Sequence, residues 1–160
     1  MIANARHVLL IGVLSTLSMD LLTGVAVGLR LVAPLPPNLV GRWFACVVRM
    51  QPFHADIART TPVNHELLIA LLGHYAIGTV LAMLFVWGTG EVGWTRSLGI
   101  ALAFGVSTSI LPWLLMFPAM GYGFFGLHGP DGTRLLTTSL VTHALFGLGL
   151  WTAIRTVSVS

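Results

Sequence analysis

Apolar residues fill four long blocks of this chain, and each block carries a small polar cluster near its middle. The blocks cover about 8–32, 67–87, 98–117 and 135–154. Each approaches the ~20 residues that an α-helix needs to cross a ~30 Å hydrocarbon core, so the pattern predicts four transmembrane helices. The polar intruders are Asp20, His74, the run Ser107-Thr108-Ser109, and Thr142-His143. An ionisable group at the centre of a membrane helix costs about 3 kcal/mol on insertion scales, so such groups usually turn towards the bundle interior.

Helix arithmetic places the clusters at one level. Four spans leave both termini on one side and the two long connections on the other. Depth can be counted from the long connections at ~1.5 Å per residue. On that count His74 lies ~10 Å deep, His143 ~12 Å, Thr108 ~13 Å and Asp20 ~15 Å. Pro112 adds to the same layer. It has no N–H to give to the carbonyl of Thr108, which loses its ordinary helical donor.

Local signals punctuate the spans. Thr61-Pro62 reads as a helix start, with Thr as N-cap and Pro in the first helical position. Gly88-Thr89-Gly90 reads as a stop, and the short link after it makes spans two and three antiparallel neighbours. Pro118 closes the third span. Gly121-Tyr122-Gly123 and Gly129-Pro130-Asp131-Gly132 mark a turn-rich loop. Pro34, Pro36 and Pro37 break the first span. Residues 40–50 then form a short amphipathic helix with Arg42 and Arg49 on one face. It suits the interface plane, or a cap over the bundle mouth. A faint repeat runs through the spans: His74-x-x-x-Gly78, His143-x-x-x-Gly147 and Asp20-x-x-x-Gly24. Two repeated helical hairpins would produce it, as would chance in a glycine-rich membrane protein.

Composition agrees. The 160 residues are 56% hydrophobic and only 8% charged, with mean hydropathy +0.89. Soluble domains carry about 25% charged residues. The fold class is therefore all-α, a single polytopic bundle over 1–160. The basic balance rests on eight arginines, without lysine, against five acids. They are scattered singly and form no patch for nucleic acid. Arg30, Arg42, Arg49, Arg59 and Arg134 fall on the side of the long loops, and Arg6, Arg96 and Arg155 on the side of the termini. The positive-inside rule then favours cytoplasmic long loops. The first apolar block is too long for a signal peptide and no Ala-x-Ala site follows it. Cys46 is the single cysteine, read as a small apolar residue, which leaves no intrachain disulfide or CxxC site.

The chemistry available to the polar layer follows from residue type. Asp20, His74 and His143 can exchange protons near neutral pH once their surroundings adjust them. Thr108 and Thr142 supply neutral oxygens. The plainer account makes these side chains hydrogen-bonding glue between helices. A third account uses His74 and His143, on parallel spans, as axial ligands of haem b, with Gly78 and Gly147 leaving room for the porphyrin. Outside the spans, His54, Asp56, His65 and Glu66 offer nitrogen and oxygen ligands for a divalent metal, or simply a solvated face. No nucleophile–base pair or phosphate loop stands out, which argues against an enzyme.

The residues also carry a resemblance. Met19-Asp20, Gly41-Arg42-Trp43, Phe53-His54, His74-Tyr75, Met120-Gly121-Tyr122-Gly123, Arg134 and His143 through Phe146-Gly147-Leu148-Gly149-Leu150 resemble a family of small bacterial inner-membrane proteins catalogued as a domain of unknown function. The resemblance covers nearly the whole chain and implies a four-helix inner-membrane protein. It implies no reaction and no catalytic residues. The leading expectation is a proton- or ion-coupled transporter in the lipid bilayer, with a homodimer as a natural assembly. An accessory subunit of a larger membrane complex, and a haem- or metal-binding protein, are the alternatives.

Overall fold

The computed structural model describes residues 5–90 and 97–157. Its helices are α1 (Ala5–Gly28), α2 (Pro37–Val48), α3 (Glu66–Gly90), α4 (Leu98–Thr108), α5 (Phe117–Ala119) and α6 (Thr133–Val157). A wide π-helical turn, Pro112–Met116, joins α4 to α5. The four stretches Ala5–Gly28, Glu66–Thr89, Leu98–Ala119 and Thr133–Val157 are long and apolar enough to cross a membrane. No strand occurs among the described residues. Arg96 lies outside them.

Several boundaries move, for local physical reasons. α1 ends at Gly28, before the expected residue 32. The N–H of Leu31 bonds the carbonyl of Ala26 and that of Arg30 bonds Val27. Arg30 itself is left-handed, with φ 59°. This is a Schellman cap built without glycine. α2 closes in the same way, through Gln51 to Cys46 and Met50 to Val47, with Met50 at φ 59°. α3 starts at Glu66, so Thr61 is not its N-cap; the left-handed His65 (φ 62°) precedes the first turn. At its other end α3 stays helical through Gly90, past the expected stop. The Thr89 hydroxyl bonds back to the carbonyl of Phe85 at 2.6 Å.

The helices pack in the order α3–α1–α6–α4, with antiparallel neighbours. One apolar core, formed by Val8, Ile11, Phe85, Ala101, Phe146, Leu150 and Ile154, fills the end near the termini. α4 crosses α6 at glycines. A Cβ on Gly105 would meet the backbone of His143 and Gly147, and one on Gly147 would meet the backbone of Ala101 and Leu102. Interfaces between membrane helices favour such small residues because they let backbones approach. Spans two and three do touch, through the Phe85 and Phe104 rings at 5.1 Å between centroids. Their main partners are others, however: α1 and α2 for α3, and α6 for α4.

α2 lies against the start of α3 and caps the bundle. Its Arg42 does not share a solvated face with Arg49, as periodicity suggested. Arg49 is exposed, whereas Arg42 is 5% exposed. The Arg42 guanidinium grips Glu66 with two contacts, Nε–Oε1 at 2.7 Å and Nη2–Oε2 at 3.3 Å. Nη1 donates to the carbonyls of Ile57, Ala58 and Thr60. Glu66 in turn accepts from the Val63 N–H. The hydrogen bond it donates to Glu66 keeps Arg42 more firmly protonated than a free arginine. One ion pair thus joins α2, the connecting loop and α3. A second core, with Ile57, Phe117, Met120, Tyr122 and Leu135, packs beneath that loop and receives Leu39 and Trp43 of α2.

Removing one partner of a buried pair strands the other charge, which costs about 3–5 kcal/mol. Arg42→Ala and Glu66→Ala each lower the thermal midpoint in detergent, while Arg42→Met combined with Glu66→Leu recovers much of the loss. At the crossing, Gly147→Val forces α4 and α6 apart and costs about 1–3 kcal/mol or more. The same melting assay reads this, against a smaller effect for Gly24→Ala, where a Cβ would meet open space.

Candidate functional site

The antiparallel packing of α1 on α3 sets Asp20 opposite His74. Nε2 of His74 lies 2.9 Å from Oδ1 of Asp20, and the two side chains are 39% and 38% exposed. Tyr75 also faces Asp20. On the other side of the bundle, α4 on α6 sets Thr108 opposite His143, with Oγ1 to Nδ1 at 2.7 Å. The two contacts resemble each other. In each hairpin a histidine of the second helix meets a polar side chain of the first. In each, a glycine four residues after the histidine packs against the first helix: Gly78 on Thr16, and Gly147 on Ala101 and Leu102. The faint sequence repeat has a physical counterpart here. The halves differ in charge, since one carries a carboxylate where the other carries a hydroxyl.

Thr108 restricts the state of His143. Its hydroxyl lies 2.6 Å from the Gly105 carbonyl, a contact in which it donates. A hydroxyl has one proton. With that proton on Gly105, Nδ1–H of His143 is the donor to Thr108, and Nε2 is left with a bare lone pair. Directing one ring nitrogen fixes the role of the other.

Asp20, His74, Thr142 and His143 all line one cavity of about 660 Å³ enclosed by α1, α2, α3, α6 and the segment after α4. Its walls are mainly apolar, with Trp43, Phe44, Phe117 and Phe146 among them. No arginine lines it, and Asp20 is its single carboxylate. Two hydroxyls at its wall, on Thr23 and Ser139, have no hydrogen-bond partner. Ser139 is 6% exposed. Both are one turn from a predicted residue, at Asp20 plus three and His143 minus four. That spacing, which puts them on the same helix faces, was the signal by which they could have been found. The cavity opens at the side between α3 and the segment after α4. Its wall residues there are exposed: Leu71 by 53%, Ile77 by 44%, Leu111 by 37% and Leu115 by 61%.

The remaining candidates go elsewhere. Ser107 bonds back to the Phe104 carbonyl. Ser109 is fully buried, without a partner for its hydroxyl and away from the cavity. Pro112 opens the π-helical turn rather than a simple kink. The residues at the mouth are not gathered. Glu66 is taken by Arg42, Asp56 caps the Ala58 N–H and meets Arg59 at 3.3 Å, and His54 sits 3.4 Å from Thr60. Among the described residues no three of His, Cys, Asp or Glu come together as a metal site. The nitrogens that the histidines would need for haem are in part engaged, Nε2 of His74 by Asp20 and Nδ1 of His143 by Thr108. Cys46 is buried.

An all-helical protein with four potential membrane spans and one internal Asp–His cavity is the class that these features define. The chain belongs to the family described as protein of unknown function DUF2938, whose profile matches residues 9–157. No curated protein and no solved structure matches it.

The Thr108 contact gives a spectroscopic expectation. Nitrogen-15 NMR of histidine-labelled protein near neutral pH shows the Nδ1–H tautomer for His143. Thr108→Val removes the contact and shifts that signal, whereas Thr108→Ser keeps it.

Proposed function

We propose that this is an integral membrane protein that couples proton movement to transport of a small solute, with the cavity as its binding site. The observation that carries the reading is the Asp20–His74 contact, 2.9 Å long, in the wall of a cavity that also holds His143. A carboxylate and an imidazole within hydrogen-bond distance can hand a proton from one to the other across the contact. Intramembrane ionisable groups of this kind mark proton relays. Thr142 adds an oxygen along the same wall. The lateral opening would admit solute from the lipid.

The inner membrane, with the long loops in the cytoplasm, suits the arginine distribution. The end of α2 would then sit in the interface, where the exposed Val48, Met50 and Phe53 meet lipid headgroups.

Proteoliposomes loaded with a pH-sensitive dye test the reading. After an external acid pulse, wild-type protein speeds internal acidification, and Asp20→Asn and His74→Gln each reduce the added rate by about tenfold or more. An unchanged rate in both variants, or no added rate with wild type, would overturn the proton reading and favour a structural subunit.

A further inference from the structure

We propose that the cavity binds a lipophilic monocation, in exchange for a proton released from the Asp20–His74 pair. This rests on the proton-coupled reading and adds the class of solute to it.

Charge comes first. The wall has one carboxylate, Asp20, and no arginine, while the chain has no lysine. With the His74–Asp20 pair protonated the site is neutral. With the proton gone it carries one negative charge, which a single positive charge balances. An anion would meet uncompensated repulsion from Asp20, and a dication would leave one charge unpaired in a low-dielectric site.

The rest of the wall fits the same class. Trp43 and Phe44 are half-buried aromatic residues in the wall of a cavity of about 660 Å³, backed by the core residues Phe117 and Phe146. Aromatic faces attract desolvated cations through the ring quadrupole. A volume of this size holds a drug-sized molecule and is far larger than a bare metal ion needs. The groups that would donate to an anion are few. Thr142 already donates to Ser139, and the Nδ1–H of His143 points to Thr108. What remains open is acceptor capacity: the Asp20 carboxylate and Nε2 of His143.

Proton and cation then compete for one negative charge. The titratable groups facing Asp20 are His74 and Tyr75 of α3, with His143 of α6 on the same cavity. On cation entry the proton leaves the pair for water. Raising the pH removes the competitor, so cation binding strengthens as pH rises.

Tetraphenylphosphonium is the probe. Its binding to purified protein in mild detergent is measured by calorimetry and by quenching of tryptophan fluorescence, between about pH 5.5 and about pH 8.5. The affinity of wild-type protein is expected to rise by about tenfold or more over that range, with close to one proton released per cation in weakly buffered solution. Asp20→Asn removes both the pH dependence and most of the affinity. Asp20→Glu keeps cation binding with a displaced pH midpoint, so a folding defect in the first variant does not hide the answer. Equal binding by Asp20→Asn, or equal binding of the uncharged triphenylphosphine oxide, would overturn the proposal. Proton flux in liposomes without phosphonium binding would sink the choice of solute and leave the proton reading in place. Phosphonium binding without proton release would sink the exchange itself.

Discussion

The Arg42–Glu66 pair is the constraint on which the cavity end of this protein depends. It connects three segments that have little else in common: a short helix, an irregular loop and the first turn of a span. Two side-chain contacts and three backbone carbonyls engage all three nitrogens of the guanidinium. A guanidinium suits the task because its planar fork reaches several acceptors at once. With Glu66 held, α3 begins where it does. With α2 held, Trp43 and Phe44 face the cavity and the loop closes over the second core.

The two ends of the bundle are built on different principles. Near the termini the helices interlock through apolar side chains and small residues, and the core is filled. Towards the long loops the same helices leave a space, and the π-helical turn at Pro112 widens the path of the chain beside it. π-turns within helices occur often at functional places. Here the turn lies one step beyond Thr108, the residue that orients His143. The filled end fixes the spacing of the helices, and the open end is free to carry chemistry.

Much of this was legible in the sequence. The number of spans follows from hydrophobic length, and matched depth groups Asp20 with His74, His143 and Thr142, but it does not say which of them meet. The role of Arg42 was not legible, because periodicity within α2 sets it beside Arg49. Only a partner 24 residues away makes its burial tolerable. The start of α3 was misread for the same reason: Thr61-Pro62 is a good local signal, but Glu66 is fixed by a distant contact. Ser139 and Thr23 were overlooked because a hydroxyl in a helix ordinarily satisfies itself on the preceding turn, as Thr142 and Ser107 do. Sequence shows the residue type but not whether the bond is made.

The side opening between α3 and the segment after α4 has a consequence for how selectivity would arise. In a bilayer, a ligand that enters there is drawn from the hydrocarbon phase. Its effective concentration is its aqueous concentration multiplied by its partition coefficient. Molecules that dissolve poorly in lipid are excluded before they meet any side chain, and those that dissolve well arrive enriched. A site of modest intrinsic affinity can then be occupied at low aqueous concentration, and its apparent affinity varies with the amount of lipid present. On the proposed reading the membrane would act as the first filter, and the protein would need only a second.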